Sequence, residues 1–223
     1  MTEKKVQERN AEVREKMLDL QEVSIGPMPA SSPWIRPVRM TFLQNGREKV
    51  WDLMRSHDSV SMVIFNTTRK KLVFVRQFRP ASYVSCLPEI PKVDVEKYPA
   101  TLGLTLELCA GIIDKDKPIV EIAKDELREE CGYEAPASAF TKLQTYRYIA
   151  CLATRQTLFY VEVTDDMHVH PGGGDETEGE LIEVVEMSVP EVKTYISSEE
   201  IHSPPCFLYG VTWFLANKID RYC

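Results

Sequence analysis

The chain has 223 residues, of which 43% are hydrophobic and 27% are charged, and its formal net charge is −7. That length allows one substantial core, or one core with a small appended unit. The negative charge argues against a nucleic-acid partner, and an anionic ligand would need a local cationic patch or a metal ion. No apolar run reaches the length of a membrane span, and the charged N-terminus lacks a signal peptide's apolar stretch. We therefore expect a cytoplasmic protein with no membrane partner.

The first 56 residues carry the signals of a small sheet unit. Residues 1–21 are highly charged with a weak helical period, which predicts a short solvent-facing helix or a frayed tail. A connector containing prolines and serines follows over 26–37. Alternating apolar residues on both sides of Asn45-Gly46 then predict a hairpin over about 38–54. A hairpin alone is marginally stable, so we expect it to pack on the rest of the chain or on a partner chain.

From residue 57 onwards, strands and helices mix in a single α/β or α+β domain without visible repeats. A helix is predicted from about Pro118 to Cys131, because proline suits a first turn and Gly132 suits a helix stop. A last helix is predicted over about 205–219. Apolar runs predict strands at 60–65, 72–78, 104–109, 143–149, 157–163 and 181–187. We accordingly divide the chain into units 1–56 and 57–223.

Three glutamates stand together near the C-terminal end of the helix at 118–131. Glu126, Glu129 and Glu130 are spaced i, i+3 and i+4, so they share one helical face. Their like charges repel, and anions disfavour a helix C-terminus. One interpretation is a merely solvated acidic face. The other is a divalent cation site, since Mg²⁺ prefers carboxylate oxygens, and a preceding strand that ends at Gly111 favours this second interpretation.

At these spacings Gly111, the three glutamates and Gly132 resemble the Nudix box, G-x5-E-x7-R-E-U-x-E-E-x-G-U with U apolar. The resemblance implies an α/β/α sandwich around a mixed sheet, in which the box forms a loop, a helix and a loop. It also implies that the three glutamates bind Mg²⁺, with Mn²⁺ as an alternative. The carbonyl oxygen of Ala110 is implied as a further ligand.

Two positions depart from the box. Lys117 stands where the family usually has glutamate, and Asp125 stands where it usually has arginine. In the family these two residues are thought to pair and to brace the loop against the helix. One hypothesis is that Lys117 and Asp125 keep this brace with reversed polarity. The other is that both drifted and that Lys124 or Arg128 compensates.

Segments outside the box narrow the resemblance to one branch of the family. VRQFRPA at 75–81 and ELCAGIID at 107–114 resemble segments of the ADP-ribose and UDP-sugar pyrophosphatases. The segments HDSV, TRQT and GELIEVVE make the chain most similar to the UDP-sugar enzymes. Many ADP-ribose hydrolases carry an acidic residue near the position of TRQT, whereas this chain has Arg155 and Gln156.

Candidate roles follow from the resemblance and from the needs of diphosphate hydrolysis, which are charge neutralisation, positioning and an activated water. The base is expected on the acidic loop at 172–180, with Glu178 first and Glu180 second, although such loops are often merely solvated. Glu130 is a catalytic candidate as well as a metal ligand. The candidates for substrate binding are Arg79, whose fork suits phosphate, then Arg76, Glu107, Trp34 and Arg155.

The function implied is that of a hydrolase acting on phosphorus anhydrides, which cleaves UDP-glucose to UMP and glucose 1-phosphate. Cleavage of ADP-ribose to AMP and ribose 5-phosphate is the nearest alternative. A non-catalytic nucleotide-sugar sensor is the third, supported mainly by the two departures from the box. The resemblance further implies a homodimer formed through the N-terminal sheet.

Overall fold

The computed structural model describes residues 1–28, 32, 35–149, 151–175, 177 and 179–221, except the side chain at position 220. The helices are α1 Glu3–Leu18, α2 Pro80–Ser85, α3 Ile119–Cys131, α4 Val189–Ile196 and α5 Pro205–Asn217. The strands are β1 Arg36–Gln44, β2 Arg47–Arg55, β3 Ser59–Asn66, β4 Lys71–Phe78, β5 Leu104–Glu107, β6 Cys109–Ile112, β7 Thr141–Arg147, β8 Arg155–Val163 and β9 Glu183–Ser188. None of the described helices is both long and apolar enough to cross a membrane.

A mixed sheet of seven strands forms the centre of the molecule. Its order is β5-β4-β3-β8-β7, with β6 also paired to β3 and β9 to β4. Successive residues of a strand point to opposite faces. Met62 and Ile64 therefore share one core with the apolar side of α3, whereas Val63 and Phe65 share another with α5. These two cores make an α/β/α sandwich, which confirms the predicted fold class.

The single strand predicted at 104–109 is wrong in detail, because the structure has two strands there. β3 and β4 pair only over 64–66 and 71–73 and diverge beyond. β5 pairs with the free part of β4, and β6 pairs with the free part of β3. The chain crosses from one to the other at Leu108, which is buried. This divergence of β3 and β4 places Ala110 and Gly111, on β6, beside helix α3.

Helix α1 packs on the central domain, so the frayed-tail alternative is wrong. Its Val13 and Met17 are buried. The side chain of Asn10 donates to the carbonyl oxygen of Val184 at 2.7 Å and accepts from its N–H at 3.0 Å. Among the described strands β9 pairs with β4 alone, so these two bonds cover its other edge. The division of the chain into units 1–56 and 57–223 stays a prediction. Helix α1 belongs to the first of these units in sequence but packs on the second.

Strands β1 and β2 form the predicted hairpin as a separate two-stranded sheet. Asn45 and Gly46 have positive φ angles of 53° and 69°, as a tight two-residue hairpin turn requires. The hairpin joins the domain at Met54, whose N–H donates to the carbonyl oxygen of Cys151 at 2.7 Å. Met40 and Trp51 lie opposite each other and are 51% and 54% exposed. These large apolar side chains remain accessible in the single chain.

Candidate active site

A cavity of about 670 Å³ opens where β4, β6, α3 and the start of α5 meet. The predicted site residues that line it come from four separate segments of the chain. They are Arg79, Glu107, Ala110, Glu126, Glu129, Glu130 and Glu180. Folding thus brings together the three helix glutamates, one arginine and one glutamate of the acidic loop.

Two glycines allow close approaches to helix α3, one on β6 and one at the end of the helix. Gly132 ends the helix in the left-handed region with φ of 78°. A side chain at Gly132 would collide with the carbonyl oxygen of His170, and one at Gly111 would overlap the carboxylate of Glu126. Glycine therefore lets strand β6 lie against Glu126 and lets the segment at 170–172 lie against the end of the helix.

The carboxylates of Glu126 and Glu130 lie in surroundings that disfavour their charge. Glu130 is 3% exposed, and its Oε2 accepts a hydrogen bond from the N–H of Ala110 at 3.0 Å. Burial, with added repulsion from Glu126, raises the pKa of Glu130 to about 8. Burial, with repulsion from Glu129 and Glu180, raises the pKa of Glu126 to about 7. Glu126 and Glu130 therefore resist ionisation, and a bound cation would favour it.

The donors in this cluster fit a hard divalent cation. Three carboxylates and the carbonyl oxygen of Ala110 are oxygen ligands of the kind that Mg²⁺ takes. A bound cation also reverses the electrostatic penalty, since it stabilises the ionised carboxylates. Within the described part of the chain, no three His, Cys, Asp or Glu side chains are already arranged as a metal site. The fit to such an ion rests on the chemistry of the donors and on their place in one cavity.

The raised pKa values predict how the stability of the metal-free protein depends on pH. A carboxyl whose pKa is higher in the folded than in the unfolded state stabilises the fold fully below the unfolded value, and loses that contribution as the pH rises through the folded value. For Glu126 and Glu130 this loss spans about pH 5 to 9. Thermal denaturation in EDTA should give a Tm lower by at least about 3 °C at pH 9 than at pH 6. Glu130→Gln should flatten this dependence, and an equal fall in that variant would contradict the interpretation.

The acidic loop is attached to the end of helix α3. The N–H of Gly173 donates to the carbonyl oxygen of Glu130 at 3.0 Å, and the N–H of Gly174 donates to that of Glu129 at 3.1 Å. These carbonyls belong to the last helical turn and have no partner within the helix. The loop thereby carries Glu180 to the cavity, where its Oε2 accepts a hydrogen bond from the N–H of Asp175 at 3.0 Å.

Two predicted site residues, Glu178 and Trp34, lie outside the described residues. Their roles as base and as substrate contact stay predictions.

Arg79 reaches the cavity already paired. Its Nε and Nη2 each donate to an oxygen of Glu107 at 2.8 Å, and Thr105 donates to the same carboxylate at 2.6 Å. The hydrogen bonds from Arg79 to Glu107 are the main cause that raises the pKa of Arg79 above its ordinary value, and the charges of Glu130 and Glu180 contribute less. Glu107 therefore fixes the guanidinium, whose Nη1 makes no hydrogen bond to any residue that the structure describes. Arg79 keeps donors for an anionic ligand.

Arg76 and Arg155 do not line the cavity. Arg76 pairs with the buried Glu183 at 3.1 Å, and Arg155 pairs with Asp58 at 2.8 Å. The next residues along the two strands, Gln77 and Gln156, line the cavity, so strand alternation directs each arginine to the other face. The placement gives no support to the predicted substrate contacts of these two arginines, and both serve as ion-pair partners.

One wall of the cavity was missed from the sequence. It consists of residues from β3, β4, β8, the loop after β7 and the start of α5, namely Ser59, Gln77, Tyr148, Gln156 and Cys206. Gln77 and Gln156 directly follow Arg76 and Arg155, so their side chains point to the opposite face of each strand. This alternation is the signal that would have identified the two glutamines. The start of α5 carries no local signal, because only the fold brings it near the glutamates.

The chain is similar over most of its length to two enzymes of known name. It is 35% identical over 213 residues to the uridine diphosphate glucose pyrophosphatase NUDT14 of Mus musculus, covering 89% of this chain and 96% of the relative. It is 35% identical over 201 residues to the NUDT14 protein of Bos taurus, covering 84% and 90%. The chain belongs to the Nudix hydrolase family.

More distant similarities agree with this Nudix assignment. The chain is 32% identical over 134 residues to the GDP-mannose pyrophosphatase of Cronobacter sakazakii, covering 60% of this chain and 61% of the relative. A crystal structure of an ADP compounds hydrolase shares the fold, with a TM-score of 0.59 and 15% identity over 89% of this chain and 94% of that one. No family model matches the chain.

The two departures from the Nudix box are in direct contact. Lys117 Nζ and Asp125 Oδ2 form an ion pair, with side chains 30% and 43% exposed. Lys124 pairs with Glu121 instead, and Arg128 pairs with Glu134. The contact required by the reversed-brace hypothesis therefore exists, and these ion pairs of Lys124 and Arg128 give no support to the alternative that either residue compensates. The ion pair also removes the main argument for a non-catalytic sensor.

Proposed function

We propose that this Nudix hydrolase cleaves the diphosphate bond of a nucleoside diphosphate sugar. The preferred substrate in this proposal is UDP-glucose, which reacts with water to give UMP and glucose 1-phosphate. The observation that carries the proposal is the convergence of three helix glutamates, Glu180 and Arg79 in one cavity. The choice of substrate is supported by the similarity to two enzymes named as UDP-glucose pyrophosphatases.

The proposed cofactor is Mg²⁺, with Mn²⁺ as the alternative. The carboxylates of Glu126, Glu129 and Glu130 and the carbonyl oxygen of Ala110 are the groups that would hold it. When bound, such an ion neutralises charge on the diphosphate and makes a water more acidic.

The chain's own residues supply positioning and proton transfer. Arg79, held by Glu107, is placed to donate to diphosphate oxygens and so to stabilise the charge of the leaving phosphate. We propose that the acidic loop provides the base that takes the proton of the attacking water, with Glu178 first and Glu180 second. The hydrogen bonds between Gly173, Gly174 and helix α3 support this, because they hold the loop against the glutamates.

Product analysis of the purified protein with Mg²⁺ tests the choice of substrate. UDP-glucose, ADP-ribose and GDP-mannose are offered separately at equal concentration, and the nucleotide products are separated by ion exchange. We expect UMP to be released fastest. Faster release of AMP from ADP-ribose would move the protein to the alternative substrate, and no release above a Glu130→Gln control would contradict the proposal as a whole.

We also propose a homodimer formed through the hairpin of β1 and β2. A two-stranded sheet is marginal on its own, and its exposed Met40 and Trp51 form an apolar face that a second copy would cover. Light scattering during gel filtration should give twice the mass of one chain for the wild type and for Thr41→Glu on the opposite face. The double variant Met40→Glu/Trp51→Glu should be a monomer. A monomeric wild type, or a double variant that stays dimeric, would contradict this interface. The cytoplasmic location stays a prediction.

A further inference from the structure

Gln156, on strand β8, is a nearly buried carboxamide in the wall of the active-site cavity. It is 6% exposed and lines the cavity. Its Oε1 accepts hydrogen bonds from the hydroxyls of Tyr146 at 2.5 Å and Tyr148 at 3.4 Å. The two hydroxyls remain donors at neutral pH, because burial raises the pKa of Tyr146 and raises that of Tyr148 to about 12.

These two bonds fix which end of the carboxamide is engaged. An amide oxygen has two acceptor sites, and an amide nitrogen offers two donors. Both phenol donors go to the oxygen, so the nitrogen Nε2 is left to donate. Gln156 lines the cavity, and its Oε1 is engaged by the two tyrosines. Nε2 is therefore the end of the amide that is left to donate to a ligand there.

The wall around Gln156 differs in charge from the rest of the cavity. Ser59, which lies beside Gln156 in the register of β3 and β8, is uncharged, and so are Gln77 and Tyr148. Charged groups line other parts of the same cavity, on α3, on the acidic loop, at Arg79 and Glu107, and at Asp114 and Lys115 after β6. An uncharged polar wall with a fixed donor suits a carbonyl or hydroxyl oxygen of the group joined to the diphosphate.

We propose that Gln156 is a specificity-determining residue, which donates a hydrogen bond from Nε2 to an uncharged oxygen of the substrate. That oxygen is a nucleobase carbonyl or a sugar hydroxyl. This inference rests on the proposed function and adds to it a contact that selects the substrate.

Steady-state kinetics with UDP-glucose test the contact. Gln156→Met keeps the size of the side chain and removes the donor, and we expect kcat/KM to fall by about 10- to 100-fold, mainly through KM. Tyr146→Phe also removes the Tyr146–Gln156 bond but keeps the Nε2 donor, so kcat/KM should fall far less in this variant. An equal loss in both variants, or a loss in kcat alone, would show a purely structural role and overturn the proposal.

Product inhibition identifies which part of the substrate is read. A rise in the inhibition constant for UMP alone assigns the contact to the nucleoside, either a uracil carbonyl or a ribose hydroxyl, and a rise for glucose 1-phosphate alone assigns it to the glucose. No change in either constant would overturn the proposal.

Binding of a methylene-bridged analogue of UDP-glucose, measured by calorimetry, separates this inference from the proposed function. If the wild type binds this analogue and does not cleave UDP-glucose, the proposed function fails. Gln156→Met must then still weaken binding of the analogue by about 10-fold. Equal affinity of both proteins, or no binding to the wild type, would overturn the role of Gln156.

Discussion

Glu130→Gln is expected to lower kcat/KM for UDP-glucose by about 10³-fold, the loss seen when one buried electrostatic group is removed from an active site. Glu130 is 3% exposed and bonded to the N–H of Ala110, so glutamine fits the same space with little change in packing. What it removes is the negative charge that would hold the cation. Steady-state kinetics over a range of Mg²⁺ concentrations measure both the rate and the apparent affinity for the metal.

Glu134→Gln is the matched control for this prediction. Glu134 follows the same helix, but it is exposed and pairs with Arg128 at 2.8 Å. Its replacement should change kcat/KM by less than about 2-fold, because an exposed ion pair contributes little. If Glu130→Gln kept more than about a tenth of the wild-type activity, Glu130 would not be a metal ligand.

Asp125→Arg is expected to lower kcat/KM by about 10- to 100-fold, as found when a residue that orients metal ligands is lost. In the single variant Lys117 and the new arginine repel, so the loop before α3 loses its contact with the helix. Adding Lys117→Glu restores an ion pair with the polarity usual in the family. The double variant should therefore recover to within about 3-fold of the wild type. Since both side chains are 30% or more exposed, we expect the Tm of each variant to change little.

Lys124→Glu provides the comparison for the brace. Lys124 lies next to Asp125 in the chain and pairs with Glu121 at 2.6 Å. Reversal of the charge at Lys124 should cause little loss of activity. A harmless Asp125→Arg, or a double variant no better than the single ones, would show that the Lys117–Asp125 pair does not support catalysis.

Local signals predicted the elements that depend on local chemistry. Helix α3 begins after Pro118 and ends at Gly132, and the hairpin turns at Asn45 and Gly46, as the residue types require. The apolar periods of β3 and β4 were also sufficient, because both strands are buried on two faces. In these segments the sequence pattern and the tertiary packing demand the same structure.

Tertiary context decided the elements that were predicted wrongly. The break at Leu108 exists because β3 and β4 diverge, and an apolar run gives no sign of that divergence. Asn10 docks helix α1 by bonding an edge strand that lies far away in the sequence. A charged helix with few apolar residues does not reveal such a partner.

The candidate site was predictable where a spacing carries the chemistry. The spacing of Glu126, Glu129 and Glu130 placed them on one helical face, and in the structure all three line one cavity. Arg76 was chosen from its segment alone, and strand alternation turned it away from the cavity. The role that we infer for Gln156 depends on two tyrosines that fix its amide, and such contacts are visible only in the folded chain.

Release of products from UDP-glucose by metal-free protein, before and after addition of Mg²⁺, tests the central claim most directly. We expect UMP and glucose 1-phosphate in equal amounts after the addition and neither product before it. Equal release without the metal would contradict the role of the glutamate cluster. The absence of both products in the presence of Mg²⁺ would contradict the proposed reaction.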